Sequence, residues 1–246
     1  METKIEAVYG RLLESFGPQH WWPVTKEPDL EPKYHKSIKL NEKQKLEICF
    51  GAILTQNTSW KNVEKAIIQL NKNNLINIDK VIKIKNNELA KIIKSSGYHN
   101  QKAKKLKNFC NFLKTNYNSE INLLLNKDIT GLRNELLSVN GIGPETADSI
   151  ILYAAKKPIF AIDAYTKRIY SRAFGIKKEL KYDELQRIFM ENLPNDEKLF
   201  NECHALLVEL GKSICKTKPL CDKCPINKSC SYYMKECKNH RKQTFK

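Results

Sequence analysis

Four cysteines fall within sixteen residues near the C-terminal end of the chain. Cys215, Cys221, Cys224 and Cys230 stand in CKTKPLCDKCPINKSC with five, two and five residues between them. No other feature restricts the fold so tightly, because a loop that brings four thiols around one centre must be compact. The spacing suits a cubane [4Fe–4S] cluster held by a single loop. Zinc is the alternative, since four thiolates satisfy its tetrahedron, but structural zinc usually takes two close cysteine pairs. Here only Cys221 and Cys224 form such a pair. Cys237, seven residues beyond Cys230, is a candidate to replace Cys215 as fourth ligand. Cys49, Cys110 and Cys203 lie in apolar helical surroundings and read as buried small hydrophobes. Clustered thiols of this kind point to metal rather than to a disulfide framework.

Charge gives a second constraint. Lys and Arg number 43 against 27 Asp and Glu, a formal net charge of +16. A surplus of that size favours a polyanionic partner such as nucleic acid, with a solvated Lys-rich surface as the plainer alternative. The 246 residues are 41% hydrophobic, enough for one large or two modest cores. No apolar run reaches the roughly 20 residues that span a bilayer, and METKIEAVYG lacks the charged-then-apolar pattern of a signal peptide. A cytoplasmic or nucleoid-associated protein is expected, with no membrane partner.

Apolar periodicity is helical almost throughout and predicts an all-α fold. Trp60, Val63, Ala66, Ile67 and Leu70 recur at helix spacing, as do Leu106, Phe109, Phe112 and Leu113. Further helices are expected at about 42–56, 88–96, 131–138, 144–156, 164–174, 182–193 and 197–214. The stretch 71–87 reads as a loop with one short helix. Gly17, Pro18, Pro23, Pro28 and Pro32 mark an extended N-terminal arm. No alternating strand pattern and no internal repeat is visible.

VNGIGPETADSIILYA is the central motif. Val139 closes one amphipathic helix, Gly141-Ile142-Gly143 makes a tight turn, and Pro144 suits the first position of the next helix. A hairpin of this kind offers backbone N–H groups of Glu145 and Thr146 at a helix N-terminus, a phosphate-binding device that needs no charged side chain. An ordinary αα-turn is the plainer alternative. Twenty residues after Gly143, Asp163 stands in FAIDAYTKR just before another helix.

With GAILTQNTSW, VNGIGPETA…FAIDAYTKR and the cysteine loop in this order, the chain resembles the helix–hairpin–helix DNA glycosylases of the endonuclease III superfamily from about residue 50 to 230. The resemblance implies a six-helix domain over 40–157, packed on a cluster domain formed by 1–39 with 158–246. It also implies a monomer acting on double-stranded DNA that contains a damaged base. Asp163 becomes the catalytic carboxylate: it faces the positive charge that develops on the sugar as the base leaves, and it can orient water. Capping of the following helix is the plainer role for Asp163, and the two are compatible.

A flipped base leaves a gap in the duplex. Gln56 matches the family's wedge position, with Asn57 beside it facing the pocket. Tyr98, in SGYHNQKAKKL, matches a second intercalating loop, although a core aromatic is equally possible there. Lys102, Lys104, Lys105 and Lys107 follow as candidate phosphate contacts, not all on one face. Trp21 and Trp22 resemble a segment of the 3-methyladenine branch in which aromatics line the base pocket, a surface suited to cationic alkylated purines. Anchoring the arm is their alternative role.

Two departures from the family pattern matter. Glu145 stands where bifunctional lyases carry a Schiff-base lysine, so a monofunctional glycosylase is expected, with a lyase or a non-catalytic DNA-binding protein as alternatives. The first cysteine interval is five residues rather than the family's six. Enzymes acting on uracil or mismatched thymine share the remaining features.

Overall fold

The computed structural model describes residues 3–176 and 180–235. Among them the secondary structure is helical, apart from one isolated antiparallel bridge between Val24 and Lys33. No helix of the described residues is long and apolar enough to cross a membrane. In chain order the α-helices are α1 (Lys4–Phe16), α2 (Glu42–Leu54), α3 (Trp60–Lys72), α4 (Ile78–Lys83), α5 (Asn86–Ile92) and α6 (His99–Tyr117). They continue with α7 (Ile121–Leu125), α8 (Ile129–Ser138), α9 (Pro144–Tyr153), α10 (Ala164–Phe174), α11 (Tyr182–Glu191) and α12 (Glu197–Ser213).

The chain divides into two compact units, one of residues 20–159 and one of 1–19 with 160–246. Residues 20–39, expected with the termini, belong instead to the central unit. The reason lies in Thr25. Its N–H donates to Glu47 Oε1 at 2.8 Å, its carbonyl accepts from Gln44 Nε2 at 3.0 Å, and its hydroxyl accepts from Asn71 Nδ2 at 2.9 Å. Glu47 is buried, and burial pushes its carboxyl above the ordinary range. The arm is thus fastened to α2 and α3 by a buried polar knot that apolar periodicity cannot reveal.

The core of the central unit gathers Phe50, Ile53 and Leu54 of α2, Val63, Ile67 and Leu70 of α3, and Phe109 and Leu113 of α6, all buried. Ile150 and Ile151 of α9 complete it. Cys49 and Cys110 are buried there, and burial raises both thiols. Helix α4, of six residues, is the short helix expected within 71–87, and the five-residue α7 is additional to those expected.

In the unit of the termini, Phe160 stacks on Phe189 at 4.5 Å and meets Phe200 edge-on at 5.7 Å. Gly211 lets α12 approach α10 closely, since a Cβ there would lie 2.5 Å from Tyr165 Cδ1. Cys203 is buried on α12. Helix α1 precedes the proline-rich segment and is additional to the helices expected from apolar spacing. Its start is nonetheless written in the sequence: Thr3 and Glu6 form a reciprocal capping box.

Candidate functional site

Helices α8 and α9 form the expected hairpin in the central unit. Arg133 holds them together, its Nε donating to Asp148 Oδ1 at 2.8 Å with the carboxylate fully buried. Val139 and Ile142 are buried on the two sides of the turn, and the Ile142 N–H donates to the Val139 carbonyl at 3.0 Å. Gly141 has φ +101°, which side chains rarely tolerate. Gly143 differs. Its φ of −99° is ordinary, and no protein atom lies within 4 Å of where its Cβ would stand. Among the described residues nothing beyond its chain neighbours crowds position 143, so its backbone is open to solvent. Gly143 at the N-cap of α9 makes no side-chain cap bond, Pro144 occupies the first turn, and Glu145 is exposed. Thr146 is buried behind it.

Gln56 lies beside this hairpin but is not free to leave it. Its Nε2 donates to the Gly141 carbonyl at 3.0 Å and to Thr146 Oγ1 at 2.9 Å, while its Oε1 accepts from Lys105 Nζ. The amide expected to meet an orphaned base is spent inside the protein. Asn57 follows it, exposed, with φ 55° at the tip of the α2–α3 loop. Tyr98 is 65% exposed, also with positive φ, so a core role is ruled out.

The lysines after Tyr98 separate by role. Lys102 is buried, donating to the carbonyls of Leu54 at 2.7 Å and Ser96 at 2.6 Å. Burial, with Lys105 nearby, pushes its ammonium down to about 8. It therefore ties the ends of the Asn57 and Tyr98 loops from beneath and does not meet phosphate. Lys107 donates to the carbonyls of Ile82 and Ile84 at the end of α4. Lys104 alone of the four is exposed with its ammonium uncommitted among the described residues.

Trp21 and Trp22 meet a third tryptophan that sequence reading had taken only as part of a helical stripe. Trp60, the first residue of α3, lies 5.1 Å from Trp21 and 5.3 Å from Trp22, both edge-on. Tyr34 lies 5.6 Å from Trp21, and Tyr153 lies 5.1 Å from Trp22. Trp22 rests directly on Gly51 of α2, where a Cβ would be 2.9 Å from the indole Cζ2. The Trp60 Nε1–H is buried with no acceptor among the described residues.

In the other unit, Asp163 caps α10, its Oδ1 accepting from the Thr166 N–H at 2.7 Å. It is 9% exposed, and its Oδ2 lies 3.9 Å from Nε2 of the buried His204 on α12. Burial lowers the imidazole's affinity for a proton, and the Asp163 carboxylate opposes that effect. Sequence alone does not single out position 204, because the pairing depends on the register of α12 against α10.

At the far end of α10, Cys215, Cys221, Cys224 and Cys230 line one cavity together with Ile169, Ile214 and Ile226. Arg168 donates to the carbonyls of Cys215 and Gly211 at 2.8 and 3.0 Å. One turn later, Arg172 donates to Cys215 Sγ at 3.4 Å and to the Lys216 and Thr217 carbonyls. Burial raises the Cys224 thiol to about 11 and also raises Cys221. Among the described residues no group of three His, Cys, Asp or Glu is arranged to hold a single metal ion. Four thiols ringing an apolar space, with a guanidinium beside one of them, fit a group whose metal atoms each take one thiolate. Cys237 lies outside the described residues.

The hairpin sequence that carries this geometry has known relatives. Residues 50–195 match the model of the HhH-GPD superfamily base excision DNA repair protein. The chain belongs to this superfamily. A protein of Methanocaldococcus jannaschii, provisionally named DNA repair glycosylase MJ1434, is 45% identical over 233 residues, covering 93% of this chain and 98% of its own. Endonuclease III of Sulfolobus acidocaldarius is 31% identical over 191 residues, 77% of this chain and 82% of its own. Among solved structures, the H. pylori 3-methyladenine DNA glycosylase MagIII bound to 1,N6-ethenoadenine superimposes with a TM-score of 0.64 at 28% identity, covering 85% of this chain and 95% of that one.

Proposed function

We propose that this HhH-GPD DNA glycosylase of base excision repair is monofunctional and removes alkylated purines from duplex DNA. The observation that carries the substrate class is the aromatic cluster of Trp21, Trp22 and Trp60. Indole faces bind a cationic, electron-poor purine through the ring quadrupole more strongly than a neutral base. The likeness to MagIII supports the same assignment.

Each remaining residue takes a part in one sequence of events. The hairpin of Val139, Gly141, Gly143 and Thr146 receives a phosphate on the open N-terminus of α9. Asn57 and Tyr98, at two exposed loop tips, fill the space that the flipped nucleotide leaves. Gln56 is the strut beneath Asn57 rather than the filler itself. Asp163 carries the chemistry: its carboxylate opposes the positive charge that grows on the sugar as the glycosidic bond breaks, and it orients the water that replaces the base. Its cap bond to Thr166 fixes the carboxylate in direction at no cost to that role. Glu145 supplies no amine, so the product is an intact strand with an abasic site. Cys215, Cys221, Cys224 and Cys230 hold a [4Fe–4S] cluster, which when bound clamps the loop that α10 grips.

The deciding experiment is base release from duplexes carrying 3-methyladenine, hypoxanthine, uracil or a T·G mismatch, with and without hot alkali. Release of the alkylated purine, with strand breaks only after alkali, is the expected result. Preference for uracil or mismatched thymine overturns the substrate class, and breaks without alkali overturn the monofunctional assignment.

A further inference from the structure

Helix α6 contains no Asp or Glu in its 19 residues. Gln101, Lys104, Asn108 and Asn111 recur on it at spacings of three, four and three, which puts them on one face. That face forms a wall of a solvent-filled trough of about 460 Å³ lined by amides and lysines, with Asn86 and Asn140 closing it. No carboxylate lines it. Asn140 belongs to the hairpin, and Asn108 Nδ2 donates to its carbonyl at 3.1 Å, so the trough opens directly beside the phosphate-binding turn. At its other end α6 begins at Tyr98, the exposed loop tip. The trough therefore lies beside the hairpin, on the helix that Tyr98 begins.

We propose that this trough binds the sugar–phosphate backbone of the strand gripped by the hairpin, extending the protein's footprint by one further phosphate held by Lys104. The chemistry follows from the lining. Lysine neutralises a phosphate as a point charge, and carboxamide N–H groups bond its oxygens without reading sequence. Lys105 and Lys107 contribute field but are committed to Gln56 and to the end of α4, which leaves Lys104 as the cation that moves onto the strand. The inference rests on the reading of the hairpin as a DNA-binding element, and the test separates the two.

The test is a salt titration of binding to a duplex containing a stable abasic-site analogue, followed by fluorescence anisotropy with the full-length protein. Each neutralised phosphate contributes about 0.9 to the slope of log affinity against log salt. Lys104→Gln is expected to lower that slope by about one such increment, Lys104→Arg to restore it, and Lys72→Gln, at the far end of α3, to leave it unchanged. Thermal melts confirm that each variant folds. If Lys104→Gln keeps the wild-type slope while the wild type binds in a salt-dependent way, the trough proposal falls and the hairpin reading stands. If the wild type shows no salt-dependent duplex binding, the hairpin reading falls and takes the trough with it. Equal losses in Lys104→Gln and Lys72→Gln mean that only net charge matters, and they also overturn the proposal.

Discussion

The Arg172 guanidinium lies 3.4 Å from the sulfur of Cys215, and the same side chain donates to the carbonyls of Lys216 and Thr217. One residue of α10 therefore holds the entry to the cysteine loop by three contacts, all of which alanine removes. Charge-assisted bonds to partly exposed groups are each worth of order 1 kcal/mol once screened, so Arg172→Ala is expected to cost about 2 kcal/mol. Iron content and visible absorbance after reconstitution should fall with it. Full iron loading in the variant would show that the loop holds its shape without α10.

Asp163→Asn separates catalysis from folding. Asparagine caps helices as well as aspartate does, so the Thr166 bond and the melting temperature are expected to survive. Base release is expected to fall by at least about a hundredfold, the scale of losing a group matched to developing charge. Duplex binding should stay within a factor of a few. Substantial release by the variant would remove Asp163 from the chemistry.

Glu145 is exposed in the first turn of α9, where an amine introduced by substitution could reach the sugar. Glu145→Lys is expected to gain a borohydride-trappable covalent adduct with abasic DNA, while the wild type gives none. An adduct formed by the wild type would place a working amine elsewhere in the chain.

Gly51→Ala places a methyl group 2.9 Å from the Trp22 ring, so the indole must shift. Overpacking of this sort costs about 1–3 kcal/mol. The expected signature is a changed near-ultraviolet circular dichroism spectrum and a higher KM for the alkylated purine, with kcat for an already abasic-prone substrate less affected. An unchanged spectrum would mean that the aromatic cluster is looser than its packing implies.

Lys102 gives a pH dependence whose sign can be worked out. Its folded-state pKa is lowered to about 8 from the ordinary 10.5. Between those values the unfolded chain holds a proton that the folded chain has released, so stability rises with pH through this window and is lost as pH falls through 8. Lys102→Met, which cannot titrate, should be less stable than the wild type, and the gap should widen from pH 8 to pH 10 in paired thermal melts. A gap that narrows would show that the two carbonyl bonds hold the ammonium charged across this range.

Much of the molecule was readable from residue order, because helices announce themselves through apolar spacing and caps. The hairpin, the cap at Asp163 and the gathering of four cysteines all follow from local rules. What escaped depended on partners distant in sequence. Gln56 reads as a free loop amide until the hairpin arrives 85 residues later to bind it. Lys102 reads as a surface cation until two carbonyl groups enclose it. His204 carries no sequence signal, and its proximity to Asp163 exists only once α12 lies on α10. The fastening of residues 20–39 was hidden for the same reason, since Thr25, Glu47 and Asn71 signal nothing by themselves. The lysines of α6 read alike as candidate phosphate contacts, and only their partners in the fold separate Lys104 from Lys102, Lys105 and Lys107.

The bonds that hold Gln56 to Gly141 and Thr146 bear on how a scarce target is found. Almost every stretch of DNA such a protein meets is undamaged, and each false encounter must end quickly. A loop that had to organise itself at every contact would lose ordering entropy each time and slow the survey. On the proposed reading, the loop tip and the hairpin meet the duplex already joined by these bonds. Inspection then needs less ordering of the loop, beyond the deformation of the DNA itself.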